Sequence, residues 1–116
     1  MKIYISGPYS AKDPQEVERN VERAIDAAIE IMRRGHMPVC PHLSHYIDKR
    51  ARERGIVIPW DKWILLDLEI IQECDALLYL GPSRGADIER AFAEGAEKQV
   101  FTNLYQVPDL RWASAN

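Results

Sequence analysis

The chain has 116 residues and a formal net charge of −3, with 47% hydrophobic and 28% charged residues. This length supports one hydrophobic core and is too short for two, so we expect a single domain over residues 1–116. The acidic balance, with no basic block beyond the mixed-sign run 49–54, argues against a nucleic-acid polymer as partner. No apolar run is of membrane-spanning length, and Gly7-Pro8 interrupts the start of the chain before a signal peptide develops. Cys40 and Cys74 lie in apolar settings, so we expect a cytoplasmic protein with reduced thiols.

The pattern of apolar residues predicts alternating strands and helices. Short β-branched or aromatic runs that end at Gly or Pro predict strands, and apolar residues that recur every three or four positions predict helices. Asp13, followed by Pro14 and Glu16, is typical of a helix start. In chain order we predict a strand from Lys2 to Ser6, a helix from Pro14 to Gly35, a strand from Met37 to Cys40, a helix from Leu43 to Arg54, a helix from Pro59 or Trp60 to Glu73, a strand from Asp75 to Leu80, a helix from Ser83 to Gly95 and a strand from Gln99 to Asn103.

This alternation predicts an α/β fold with a flavodoxin-like or Rossmann-like doubly wound parallel sheet. We expect four to five strands in the order 2-1-3-4, with a possible fifth. The tail from Leu104 to Asn116 carries Trp112, and three roles are open for it. It can add that strand, contact a partner subunit or dock within the chain. Such sheets bind ligands at the carboxyl ends of strands 1 and 3, which lead here into the loops 7–10 and 81–85.

Two helices each place a carboxylate on an apolar face. Glu89 shares its predicted face with Gly85, Ile88 and Phe92, and Asp67 lies within the apolar arc of the preceding helix. A bare buried carboxylate is costly, so each group needs a partner, a cap or a cavity.

A structural and a catalytic explanation are both open for these carboxylates. Glu89 can pair with Arg84, Arg90 or a backbone cap, and Asp67 can bond to a loop. Two carboxylates at one crevice can also take separate roles in the cleavage of a glycosidic bond. Glu89 would then be the nucleophile, and Asp67, its pKa raised by desolvation near Trp63, would hold the proton.

Three motifs, in this order, resemble the nucleoside 2-deoxyribosyltransferase superfamily. They are Ile3-Tyr4-Ile5-Ser6-Gly7-Pro8, Asp67-Leu68-Glu69 and Ser83-x-Gly85-Ala86-x-x-Glu89. Within the superfamily the chain resembles the 2'-deoxynucleoside 5'-monophosphate N-glycosidase branch and its short bacterial and phage relatives. The resemblance covers roughly residues 2–103. It implies an enzyme that acts on a small nucleotide or nucleoside without a cofactor, as a homodimer or higher homo-oligomer in which a neighbouring chain completes the site.

The resemblance also assigns roles to individual residues. Glu89 matches the nucleophile that forms a covalent deoxyribosyl-enzyme, Asp67 the aspartate that assists departure of the base, and Tyr4 a tyrosine beside the nucleophile. His42 falls where the nucleotide branch has a histidine near the base, although a satisfied structural histidine fits equally well. No third ligand is patterned with His42 and His45, so we expect no metal. The substrate-binding candidates are Gly7, Ser10, His42, Ser83 and Gly85.

Ser83 bears on the choice between nucleotide and nucleoside. Transferases that act on free nucleosides carry an aspartate six residues before the nucleophile, where it accepts a hydrogen bond from the 5'-hydroxyl. A serine beside free helix N–H groups suits a phosphate instead, although Ser83 as a simple helix cap fits both substrates. The phosphate-contacting Ser and Arg of the nucleotide enzyme are replaced by Pro8 and Ser10, so Lys12 or Arg84 would have to supply the charge.

These observations predict an enzyme that cleaves the base–sugar bond of (deoxy)nucleoside 5'-monophosphates through a covalent glycosyl ester on Glu89. Water would resolve the ester in an N-glycosidase, and a second base would do so in an N-(deoxy)ribosyltransferase. Two alternatives stay open: a nucleoside 2-deoxyribosyltransferase that acts on free nucleosides, and a non-catalytic nucleotide-binding module.

Overall fold

A computed structural model of the chain, which describes residues 1–111, has one sheet of four parallel strands in the order β2-β1-β3-β4. The predicted α/β class and strand order are therefore confirmed. The elements are β1 Lys2–Ser6, α1 Pro14–Arg33, β2 Met37–Val39, α2 Ser44–Glu53, α3 Trp60–Gln72, β3 Ala76–Tyr79, α4 Arg84–Gly95 and β4 Gln99–Phe101, with short 3-10 helices at Pro41–Leu43 and Leu104–Gln106.

The first helix begins and ends as its sequence predicts. The Asp13 carboxylate accepts a 2.9 Å hydrogen bond from the Gln15 N–H, which satisfies one of the free donors at the helix start. Pro14 occupies the first turn, where no amide hydrogen is needed. Gly35 has φ 90°, a conformation that glycine adopts without strain, and it turns the chain into β2.

Helices cover both faces of the sheet. Alternate residues of a strand point to opposite faces, so Ile3 and Ile5 pack in the core under α1, whereas Tyr4 packs in the core under α3 and α4. Ser6 follows the same alternation as Tyr4 and is fully buried. Burial on both faces explains why β1 and β3 are almost continuously apolar, and it makes Ser6 a polar exception that needs a partner.

Within residues 1–111 no fifth strand forms beside β4. The Arg34 guanidinium, at the end of α1, donates hydrogen bonds of 2.9 and 3.0 Å to the carbonyls of Leu104 and Val107. Val107 packs into the core on the α1 side. These contacts hold the chain after β4 against α1 instead of along the sheet edge. The predicted contacts of Trp112 fall outside the described residues.

The helices of residues 1–111 show no membrane-spanning candidate, because none of them is both long enough and apolar enough to cross a bilayer.

Gly7 directly follows β1 and packs against Leu80, which directly follows β3. A Cβ atom at Gly7 would lie 2.9 Å from Leu80 Cβ, and the 2.7 Å bond from the Leu80 N–H to the Ser6 carbonyl prevents the strand ends from separating. We therefore expect Gly7→Ala to lower the free energy of unfolding by about 1–3 kcal/mol, measured by urea denaturation. Gly95→Ala is the matched control, because a Cβ there meets nothing within 4 Å. An unchanged urea midpoint in Gly7→Ala would contradict this prediction.

Candidate active site

The carboxyl ends of β1 and β3 open into a cavity of about 490 Å³. The loop after β1, the start of α4 and residues of α2 and α3 surround it. A cavity of this volume accommodates a ligand the size of a nucleoside or nucleotide. Every candidate residue from the sequence except Tyr4 lines it, namely Gly7, Ser10, His42, Asp67, Ser83, Gly85 and Glu89.

Glu89 is buried in the middle of α4, with 5% of its surface exposed. The Tyr4 hydroxyl donates a 2.7 Å hydrogen bond to Oε2, and the Ser6 hydroxyl donates a 2.8 Å bond to Oε1. Each carboxylate oxygen therefore has one donor from β1. These bonds offset part of the cost of burying the charge, because a buried polar group is expensive mainly when it lacks partners.

Neither neighbouring arginine pairs with Glu89. The Arg84 guanidinium lies 4.4 Å from the centroid of the Trp60 ring, and Arg90 Nε donates a 3.2 Å bond to Glu94. The ion pair with Arg84 or Arg90 that would have explained Glu89 structurally is therefore wrong. The carboxylate is held by neutral donors.

The buried face of α4 is narrower than the helical periodicity predicts. Ala86, Glu89 and Ala93 are its buried residues, whereas Ile88, expected on the same face, is 36% exposed. Small alanine side chains let the helix approach the sheet closely. This close approach places Glu89 within reach of donors on β1.

Asp67 reaches Glu89 from α3 and is the better proton holder of the two. Burial raises the pKa of Asp67 to about 8, and the negative charge of Glu89 adds to the effect. Burial also raises the pKa of Glu89, but the hydrogen bonds from Tyr4 and Ser6 oppose this rise. The two carboxyl groups therefore share one proton near neutral pH, and it resides mainly on Asp67.

Tyr4 remains a hydrogen-bond donor to this pair. Burial raises its pKa far above the ordinary value, and the charges of Glu89 and Asp67 raise it further. The phenol is therefore protonated at every pH at which the protein functions, and it stabilises the ionised form of Glu89.

The start of α4 is capped by Ser83, whose hydroxyl accepts a 3.0 Å bond from the Ala86 N–H. The hydroxyl hydrogen remains available to donate to a ligand. A Cβ at Gly85 would make an ordinary van der Waals contact with Ile64 at 3.4 Å, so the first turn of α4 lies against α3. The positive end of the helix dipole thus borders the cavity.

His42 supports the loop after β1. Its Nε2 lies 3.2 Å from the Gly7 carbonyl and 3.1 Å from the Pro8 carbonyl, so this nitrogen carries the hydrogen and donates to both. Burial lowers the pKa of His42, which keeps the ring neutral. His42 is only 4% exposed, and its Nδ1 is buried without a partner among the described residues. Nor do residues 1–111 contain a cluster of three or more His, Cys, Asp or Glu residues that could hold a metal.

Several residues of the site were not predicted from the sequence. Ser6 could have been found, because strand alternation places it on the same face as Tyr4. Tyr9, Asp48, Arg52 and Trp60 also line the cavity. Tyr9 lies in the loop 7–10 that the fold prediction already placed at the crevice. Asp48, Arg52 and Trp60 carry no such signal, because the position of α2 over the crevice and the approach of α3 are set by tertiary packing.

The fold and site define an α/β protein with two interacting carboxyl groups at the crevice of a parallel sheet. The family model described as Domain of unknown function (DUF7768) matches residues 1–103, and the chain belongs to this family. A solved structure titled "2-desoxiribosyltransferase from Leishmania mexicana" shares the fold, with a TM-score of 0.56 and 20% sequence identity. The match covers 85% of this chain and 61% of that one, so the chain spans less than two thirds of its length. No curated protein matches the chain.

The buried Asp67 side chain should lower the free energy of unfolding at high pH. Its pKa is raised from 3.8 to about 8 in the folded protein, so the folded state loses stability relative to the unfolded state as pH rises through this range. An amide does not ionise, and we expect Asp67→Asn to be more stable than wild type by about 1–3 kcal/mol near pH 9. The difference should shrink toward pH 4. Thermal unfolding followed by circular dichroism across this range measures it.

The exposed Glu69 on the same helix provides a control, because Glu69→Gln makes the same change from carboxylate to amide outside the buried pair. If Asp67→Asn were less stable than wild type at every pH, the assigned protonation of Asp67 would be incorrect.

Proposed function

We propose that this protein cleaves the N-glycosidic bond of (deoxy)nucleoside 5'-monophosphates, with water or a second base as the acceptor. One observation carries the proposal: Glu89, buried and held by Tyr4 and Ser6, interacts with the proton-holding Asp67 beside a nucleoside-sized cavity. The shared fold with a structure titled as a 2-desoxiribosyltransferase supports nucleoside glycosyl transfer as the reaction class.

In the first step, an oxygen of the Glu89 carboxylate attacks C1' of the sugar. The bond between C1' and the base nitrogen breaks, and its electron pair goes to the base. Asp67 gives its proton to the departing base, so the base leaves neutral and the sugar remains as an ester on Glu89.

In the second step, the Asp67 carboxylate accepts a proton from water, and the resulting hydroxide attacks C1'. The ester bond breaks, Glu89 regains its charge, and Asp67 regains its proton. A second base that attacks C1' with its nitrogen completes a transfer in the same way. Tyr4 and Ser6 keep Glu89 aligned and lower the energy of its ionised form throughout.

The start of α4 supports a phosphate as the 5' group of the substrate. Ser83 has a hydroxyl hydrogen free to donate, and the helix dipole favours an anion at this end. Arg84 lines the cavity, where its guanidinium stacks on the Trp60 ring. Of the two candidates from the sequence, Arg84 lines the cavity and Lys12 does not, so we assign the positive charge to Arg84.

The homo-oligomer implied by the sequence resemblance stays a prediction. The large apolar side chains Leu65 and Leu66 are 61% and 46% exposed on α3. They form the surface on which we expect a second copy to dock.

Replacing the nucleophile tests the proposed reaction directly. We expect Glu89→Gln to slow the release of free base from nucleoside monophosphates by about 10³-fold or more, measured by chromatography. Glu94→Gln changes an exposed glutamate on the same helix and should retain wild-type rates. A 2-fluorinated sugar analogue should add its glycosyl mass to the wild type and not to Glu89→Gln. Equal base release by Glu89→Gln and wild type would exclude the mechanism.

Replacing Arg84 tests the phosphate. Arg84→Gln should lower kcat/KM for a monophosphate by about tenfold, because a charge-assisted bond is lost, and should leave the free nucleoside unaffected. Arg90→Gln removes a charge that lies over Tyr79 and bonds to Glu94, so it serves as the matched control. A loss that is equal for both substrates would show that Arg84 does not bind the phosphate.

A further inference from the structure

A hydrogen-bond network that is separate from the one around Glu89 reaches the cavity through Tyr9. Tyr9 lies in the loop after β1 and lines the cavity, and its hydroxyl oxygen is 3.0 Å from His45 Nδ1. His45 Nε2 is in turn 2.9 Å from Glu18 Oε1. The three residues come from three segments, the loop, α2 and α1. The reaction proposed above uses none of them.

The Tyr9 side chain is held in place by its surroundings. The Asn20 side chain donates a 3.2 Å bond to the Tyr9 carbonyl, and the Tyr9 ring meets the rings of His42 and His45 edge-on at centroid distances of 6.1 and 5.9 Å. Burial raises the pKa of Tyr9 to about 12, so the phenol keeps its hydrogen. The direction in which that hydrogen points therefore depends on His45.

When His45 is neutral, the hydrogen bonds among Tyr9, His45 and Glu18 have one consistent set of directions. The Glu18 carboxylate only accepts, so His45 Nε2 carries the hydrogen and donates it to Glu18. His45 Nδ1 is then bare and accepts the hydrogen of the Tyr9 hydroxyl. The Tyr9 oxygen presents only lone pairs to the cavity, where it can accept a hydrogen bond from a ligand N–H or O–H.

When His45 is protonated, the direction of the hydrogen bond between Tyr9 and His45 reverses. Both ring nitrogens now donate, so the Tyr9 oxygen accepts from His45 Nδ1. The hydroxyl hydrogen turns away from His45 and becomes available to an acceptor in the cavity. One proton taken up from solvent by His45 thus converts Tyr9 from an acceptor into a donor.

The charges around His45 are few. Glu18 faces it from α1, Tyr9 from the loop after β1, and the neutral Tyr46 ring lies beside it at 5.2 Å. On its own helix, Asp48 and Arg52 pair with each other at 2.9 Å, so their charges largely cancel. Glu18 is therefore the anionic group that contacts His45.

We propose that Tyr9 determines specificity for the exocyclic group of the nucleobase, and that His45 and Glu18 are positioning residues that set its polarity. The proposal rests on the proposed function for its substrate class. With C1' at Glu89 and the 5' group at the start of α4, Tyr9 borders a part of the cavity that we assign to the base. Neutral His45 makes the site prefer an amino group, and protonated His45 makes it prefer a keto group.

Binding to Glu89→Gln tests the proposal without turnover. The probes are 2'-deoxyadenosine and 2'-deoxyinosine 5'-monophosphates, which carry an amino and a keto group at the same position, titrated by tryptophan fluorescence between pH 5.5 and 8.5. We expect the amino probe to bind about tenfold more tightly than the keto probe at pH 8.5. This ratio should fall to one or below at pH 5.5.

Three further substitutions in the same background separate Tyr9 from its partners. Tyr9→Phe keeps the ring and should bring the ratio near one at every pH. His45→Gln should make the ratio independent of pH. Glu18→Gln can donate to His45 Nε2 as well as accept from it, so the tautomer of neutral His45 is no longer fixed and the ratio at pH 8.5 should fall toward one.

The outcomes separate this proposal from the proposed function. Three results would overturn the role of Tyr9. They are a ratio that does not change with pH, a ratio that Tyr9→Phe leaves unchanged, and no binding of either probe. If the wild type still released free base in that case, the proposed function would stand. If the wild type released no base while the ratio followed pH and Tyr9, the proposed function would fail and the role of Tyr9 would be supported.

Discussion

The structure depends on a buried carboxylate that is held by two hydroxyl donors. Glu89 lies against the sheet where an ionised group is costly, and Tyr4 and Ser6 on β1 each give it one short hydrogen bond. Both donors lie on the same face of β1 because strand side chains alternate. Alanines on the buried face of α4 bring the helix close enough for these bonds to form. The site therefore requires that Tyr4 and Ser6 lie on the same face of β1 and that α4 packs closely against that face.

The same burial that makes the site costly also makes it chemically useful. Removing Asp67 from water raises its pKa to about 8, and the neighbouring charge of Glu89 raises it further. A carboxyl group that keeps its proton near neutral pH can serve as a general acid, and its ionised neighbour can serve as a nucleophile. The site thus gives up folding stability in exchange for two carboxyl groups in different protonation states.

The topology of the sheet explains why these groups face a cavity. The strand order reverses between β1 and β3, so the connections leave these two strands toward opposite faces and open a crevice at their carboxyl ends. The carboxyl pair, the start of α4 and Tyr9 all border this crevice, together with residues of α2 and α3.

The sequence alone determined the strand and helix order, the sheet order 2-1-3-4, and Glu89 and Asp67 as the unusual carboxylates, because apolar periodicity and turn residues are local signals. It also placed Ser83 at the start of α4. Only the tertiary structure showed that Ser6 joins Tyr4 in bonding to Glu89 in place of an arginine, and that α2 brings His45 to Tyr9. These contacts join residues at least 36 positions apart. They depend on how closely helices approach the sheet, which packing of the whole core decides.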